Sequence, residues 1–170
     1  MPVKLDHLTK LLQEQLKDAY SAESQLLEAI PKMRDAASDR DLRQAFSDHL
    51  LETKGHIDRI ERACEMLGSS PLGHRCRAME GLIKEGSEVV NDAEADAEVR
   101  DAALICAAQK VEHYEMALYG CIRTYASTLG RDDLASLLQE TLDEEGAADK
   151  RLTAIAVGDV NSAAATPQPQ

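Results

Sequence analysis

The chain has 170 residues, a formal net charge of −12, and 44% hydrophobic residues of which few are aromatic. That length suits one domain on one core, and the core must come mainly from Leu, Ile, Val, Ala and Met. The charge disfavours general electrostatic binding to DNA, RNA or an anionic membrane surface. No apolar run approaches the ~18–20 residues that a membrane-spanning helix needs.

The first residues, Met1-Pro2-Val3-Lys4-Leu5-Asp6-His7, carry no apolar signal segment. A first helix is expected from about Lys4 to Ala37. Leu5, Leu8, Leu12, Leu16, Ala19, Leu26 and Ile30 recur at steps of three and four, which makes one buried face. Pro31 falls inside it and predicts a kink near Leu27. Ser38-Asp39 is a plausible cap for a second helix, whose face is Leu42, Ala45, Phe46, Ile57, Ile60, Cys64 and Leu67. Gly68 should stop it.

The stretch Gly68–Gly73 reads as a loop, and a shorter helix is expected from about Arg75 to Val90. The acidic stretch Asn91–Glu98 should open the next helix, whose face is Leu104, Ala108, Val111, Leu118, Ile122 and Tyr125, ending at Gly130. Asp132 or Asp133 should cap the last, marked by Leu134, Leu137, Leu138, Leu142, Leu152 and Ile155. Residues 1–157 then form the bundle, and 158–170, small and polar, read as a disordered tail.

Four of these helices are about 25–34 residues long, or ~40–50 Å. The segment from Gly68 to Ala95 is long enough to run from one end of a bundle to the other. The expected fold is therefore all-α: a ferritin-like four-helix bundle with a fifth, shorter crossover helix between helices 2 and 4.

The two long hairpins also resemble each other. At the numbering offset that separates Glu23 from Glu115, the residues Asp41, Leu42, Glu52 and Arg59 fall on Asp133, Leu134, Glu144 and Arg151. Matched apolar residues mean little between two amphipathic helices. Matched carboxylates predict a pseudo-twofold site.

The residues that break the apolar stripes carry the chemistry. Glu23 takes a core position in the first helix. His49, Glu52 and His56 share one face of the second. Glu112 and Glu115 lie between Ala108 and Leu118, and Glu144 or Glu145 interrupts Leu138, Leu142 and Leu152, with Asp149 a further candidate. All fall near mid-helix. Bare carboxylates buried together would repel and protonate unless cations hold them. Four ionised glutamates neutralise two divalent metal ions, and carboxylate with imidazole suits iron or manganese. Ferritin-like di-metal sites use two lone Glu and two Glu-x-x-His motifs. Here Glu52 and His56 are spaced by four, His49 precedes Glu52 by three, and the last helix has no histidine.

Among other residues, Tyr20 either bonds a ligand carboxylate or packs. Glu85 reads as a solvated glutamate, and His113 should point sideways towards a neighbouring helix or a partner subunit. His7 and His74 read as surface residues. Cys64, Cys76, Cys106 and Cys121 form no C-x-x-C pair and no zinc spacing, so they read as buried or half-buried thiols of a reducing compartment.

Four segments carry a resemblance: Asp18–Glu23, His49–Thr53, Glu112-His113-Tyr114-Glu115 with Tyr119-Gly120, and Leu142–Glu145. They resemble the YciE/YciF-type ferritin-like stress proteins, over about Leu5 to Ala156. The resemblance implies a bacterial cytoplasmic protein induced under stress, a homodimer with a rubrerythrin-like bundle. It implies Glu23, Glu52, Glu112, Glu115 and the Glu144-Glu145 pair as ligands; His56 is a further candidate from its place on the helix face, since position 56 is not reliably histidine in the family. The expected function is a carboxylate-rich di-metal site, iron or manganese, handling peroxide, O2 or ferrous iron in an oxidase or peroxidase manner. A metal-free or structurally metallated dimer that protects or binds partners under stress is the alternative. Leu51 and Met116, apolar but off the core stripe, are candidates for the dimer face.

Overall fold

A computed structural model describes residues 7–166. Five α-helices run Leu8–Ala36 (α1), Arg40–Met66 (α2), Arg77–Asn91 (α3), Ala97–Thr128 (α4) and Asp132–Ile155 (α5). There is no strand among the described residues. None of these helices is long and apolar enough to cross a membrane.

The ends follow from local chemistry. His7 caps α1, its ring nitrogen accepting from the Lys10 amide. Asp39 caps α2 by accepting from the Leu42 amide. Gly68 at φ +59° and Gly130 at φ +71° close α2 and α4 in the left-handed conformation that glycine adopts without a Cβ penalty. Two boundaries differ from expectation. Residues 92–96 lie outside α4, which starts at Ala97 behind Asp96. Arg131, not an aspartate, precedes α5; Asp132 and Asp133 sit in its first turn, where the helix dipole favours negative charge. Pro31 lies within the continuous span of α1.

The four long helices form a closed ring, α1 against α2, α2 against α5, α5 against α4 and α4 against α1. Each end of the ring is tied by polar contacts. At one end the Asp101 carboxylate accepts from the Ser38 and Asp39 amides at 2.8 and 2.7 Å. At the other, Arg131 donates to the Met66 carbonyl at 3.2 Å. Helix α3 lies across α1 and α4. Its start is fixed where Ser21 Oγ accepts from the Cys76 amide at 2.8 Å and Gln25 donates to the Cys76 carbonyl at 3.1 Å. This is the crossover that ferritin-like bundles carry.

Beyond α5 the chain stays helical through a π-turn, Ala156–Val160, and a short helix, Asn161–Ala164 (α6). Val160 is buried in the core. Helical structure thus passes the boundary expected at residue 158, because Val160 completes an apolar face that also holds Leu152 and Ala156. Positions 1–6, and 167–170 of the expected tail, lie outside the described residues.

Two apolar clusters fill the bundle. One contains Leu26, Ile30, Phe46, Leu104, Val111 and Leu152. The other contains Leu12, Leu16, Ile60, Leu118, Ile122, Leu134 and Leu138. Between them lies a layer that is polar and buried.

Candidate metal centre

Six ionisable side chains reach this layer: Glu23 from α1, His49 and His56 from α2, Glu112 and Glu115 from α4, and Glu145 from α5, all buried. They form two groups. Ligand atoms of His49, Glu112, Glu115 and Glu145 lie within 4.8 Å of one another, and so do those of Glu23, His56 and Glu145. Glu145 is common to both. Its two oxygens face different imidazoles, Oε1 at 3.1 Å from His56 Nδ1 and Oε2 at 3.8 Å from His49 Nε2. His56 Nδ1 is also 3.3 Å from Glu23 Oε1, and His49 Nε2 is 3.5 Å from Glu112 Oε1.

Helical register explains the convergence. A spacing of three keeps Glu112 beside Glu115, whereas the single-residue step from Glu144 to Glu145 turns Glu145 to the inner face and leaves Glu144 at the α2–α5 seam. Of the sequence candidates, the layer thus brings together Glu23, His56, Glu112, Glu115 and Glu145, with His49 rather than Glu52 as the second α2 residue.

Glu52 and Glu144 lie outside both groups, each behind an imidazole. Glu52 Oε2 is 3.2 Å from His49 Nδ1, and Glu144 Oε2 is 2.9 Å from His56 Nε2. Each histidine therefore has one nitrogen turned to an outer carboxylate and the other to the buried layer. This arrangement fixes tautomer and ring orientation in metal-ligating histidines. Glu144 is itself held by Arg59, whose guanidinium donates through two nitrogens at 2.6 and 2.8 Å. Asp149 is taken up by Gln109 and by His113, away from the layer. Tyr20 contacts Glu61, and Glu85 pairs with Lys110 on the surface.

One partner escaped the sequence reading. Tyr119, one turn beyond Glu115, donates its buried hydroxyl to Glu23 Oε1 at 2.5 Å. Its i, i+4 relation to Glu115 placed it on the inner stripe, but the carboxylate it meets lies on another helix. The cysteines also differ in part from expectation: Cys64 and Cys76 are buried, whereas Cys106 and Cys121 are exposed on outward positions, and all four are free thiols.

The electrostatics are those of crowded carboxylates. Burial pushes the Glu112 carboxyl well above its usual range; His49 pulls it down, and Glu145 and Glu23 push it further up. Burial and the charges of Glu23, Glu145 and Glu112 do the same to Glu115. Glu145 is raised by burial, with His56 opposing. Burial works against the His56 imidazolium, but Glu145 and Glu23 outweigh it and the pKa is pushed up to about 11. Outside the layer, Arg59 holds the Glu144 carboxyl below its usual range.

Eight buried polar atoms in this layer lack a well-aligned hydrogen bond, the close His56 Nδ1–Glu145 Oε1 approach included: Glu23 Oε2, His49 Nε2, His56 Nδ1, Glu112 Oε2, and both carboxylate oxygens of Glu115 and of Glu145. Unpaired buried polar atoms are rare in native proteins because each costs its desolvation. Eight in one layer, all of ligand type, fit divalent cations. These acidic and histidine groups could hold metal.

Fold and layer together define a ferritin-like bundle with a buried carboxylate–histidine centre. The chain belongs to the family described as a domain of unknown function (DUF892), whose model matches residues 7–165. It is 51% identical over 150 residues to protein YciF of Escherichia coli, covering 88% of this chain and 90% of that one. The crystal structure of the E. coli stress protein YciF superposes with a TM-score of 0.87 at 48% identity, over 92% of this chain and 98% of that one. YcfI from Rhodopseudomonas palustris gives 0.85 at 41%, over 90% and 97%. Ferritin-like, diiron-carboxylate proteins from Bacillus anthracis share the fold at 18% identity, with a TM-score of 0.68 over 88% and 98%.

Proposed function

We propose that the buried layer holds two divalent metal ions, iron or manganese, in a ferritin-like stress-response protein. The observation that carries this reading is Glu145, shared by two ligand groups whose inward atoms lack well-aligned hydrogen bonds. One ion would take Glu23, His56 and Glu145; the other His49, Glu112, Glu115 and Glu145. The four glutamates balance two divalent charges, and the mixed oxygen and imidazole set suits iron and manganese. The chemistry such ions supply is electron exchange with a small oxidant, O2 or peroxide, or the oxidation of ferrous iron.

The chain's own residues have separable parts in this. Glu52 and Glu144 aim the imidazoles inward. Tyr119 holds Glu23 in place from α4. The apolar clusters pack against the layer on either side. The E. coli relative is described as a stress protein, which supports a similar role here, in the bacterial cytoplasm. We further infer a twofold homodimer, the commonest soluble assembly. Leu51 is 66% exposed on α2 and offers an apolar contact for it; a monomer mass by light scattering at micromolar concentration would contradict it.

The decisive experiment is anomalous diffraction from crystals soaked in Fe2+ or Mn2+. Two peaks are expected, one within each ligand group. Protein that takes up neither iron, manganese nor zinc after reconstitution would leave the structural, partner-binding reading in front.

A further inference from the structure

Next to the carboxylate layer the core contains a cavity of about 230 Å³, in the half of the bundle that holds Phe46 and Leu152. Helices α1, α2, α4 and α5 all contribute to it. Leu26, Ile30, Phe46 and Leu152 supply apolar wall, and His49 and Glu112, both members of one ligand group, line its polar end. Among its lining residues, Ala147 and Arg151 on α5 are exposed and Glu52 on α2 is half-buried. The opening to solvent is therefore between those helices, where Ala45 and Ala148 leave room.

Protein cores are packed to crystal density, and voids much larger than a water are few. A water would find partners only at the His49–Glu112 end and at the mouth beside Glu52 and Arg151, since it needs two to four polar neighbours. The cavity matches an organic molecule better. An apolar cavity of about 150 Å³ binds benzene, so this volume fits a hydrocarbon body of about six to ten carbons. The head group is set by charge. Glu52 and Glu112 would repel an anion, and Arg151 is engaged by Asp48 at 2.7 Å. A neutral hydroxyl or hydroperoxyl group can donate to a Glu112 oxygen.

We propose that this cavity is the substrate chamber of the centre, taking an uncharged organic molecule of about six to ten carbons with an O–H head group turned towards His49 and Glu112. The word substrate rests on the metal reading above; the binding does not. Such a chamber would direct the centre's chemistry to an organic alcohol or hydroperoxide, beyond water-borne oxidants.

The test is titration of the full chain with n-octanol, followed by proton NMR, metal-free and after Mn2+ loading. Ala45→Leu and Ala148→Leu place a larger side chain at the cavity, the second from a half-buried position that tolerates it. Each should weaken octanol binding by about tenfold or more, while Mn2+ affinity stays within about twofold. In the Mn2+-loaded protein the octanol C1 protons should broaden more than the terminal methyl. No octanol uptake by the metal-free wild type, or unchanged affinity in both folded variants, overturns the chamber. Stronger broadening at the methyl end overturns the head-group orientation. Octanol taken up by a wild type that binds no Mn2+ keeps the binding chamber and removes the metal reading alone.

Discussion

Tyr119 on α4 donates its hydroxyl to Glu23 Oε1 on α1 at 2.5 Å, and both side chains are buried. It is the protein hydrogen bond made by the Glu23 carboxylate, whose other oxygen is unpartnered. Tyr119→Phe keeps the ring and removes the donor, so the metal-free protein should lose about 1–3 kcal/mol, the cost of an unsatisfied buried group. The loss should shrink when Mn2+ is present, because a cation would satisfy the freed oxygen. Urea unfolding with chelator and with Mn2+ measures both values; equal losses in the two would argue against Glu23 as a ligand.

Glu144 and Glu145 are adjacent in sequence and opposite in role. Glu145→Gln removes the group shared by both ligand sets and should weaken metal binding by at least about 100-fold. Glu144→Gln removes only the carboxylate behind His56 and should weaken it by about tenfold, the usual range for groups that orient a ligand. Competition with a chelating dye measures both. A Glu144 variant that loses more than the Glu145 variant would reverse the assignment.

Glu52→Gln should behave like Glu144→Gln, because it stands behind His49 as Glu144 stands behind His56. Its metal-induced rise in melting temperature should be reduced but present. A complete loss of the shift would make Glu52 a direct ligand instead.

The pH dependence of the metal-free protein has a definite sign. Glu112, Glu115, Glu145 and His56 all have raised values in the folded state, so the native protein holds more protons than the unfolded chain. Stability from the three carboxyls is complete below their unfolded value of about 4.3, and that from His56 below about 6.5. Both contributions decline as pH rises through the folded values, which for His56 is about 11. Glu144, held low by Arg59, works the other way, and its contribution fades only as pH falls below about 4.3. The urea midpoint with chelator should therefore fall between about pH 5 and about pH 9. Metal ions must displace these protons, so affinity should rise over the same range and saturating Mn2+ should flatten the decline. A chelated protein whose stability climbs with pH would contradict the picture.

The Arg59–Glu144 pair is partly exposed, with Glu144 at 34%. Arg59→Ala should consequently cost only about 1 kcal/mol in stability. Its larger effect should be on metal affinity, through the looser Glu144 carboxylate and the His56 ring behind which it stands. Parallel melting and metal titrations separate the two; a variant with unchanged affinity would confine Arg59 to the surface.

The fold was legible because its causes are local. Apolar residues at steps of three and four, Asp39 as a cap, Gly68 and Gly130 as stops, and a crossover segment of bundle length all act within a few residues of where they are read. The same periodicity marked Glu23, Glu112 and Glu115 as carboxylates on core stripes, and the structure buries all three. The matched carboxylates of the two hairpins were legible too. Glu23 and Glu115 both enter the layer, while Glu52 and Glu144 both end behind an imidazole.

What periodicity left open was rotation and distance. A helix stripe is wide enough to admit both Glu144 and Glu145, and both His49 and Glu52. Only the packing angle of α2 against α5 turned Glu145 and His49 inward and left the other two at the seam. Tyr119 meeting Glu23, and a cavity with its polar end at His49 and Glu112, depend on how four helices approach one another across the core. Residues on one helix state their own face; the partner on the facing helix is chosen by tertiary packing, which no single-helix pattern encodes.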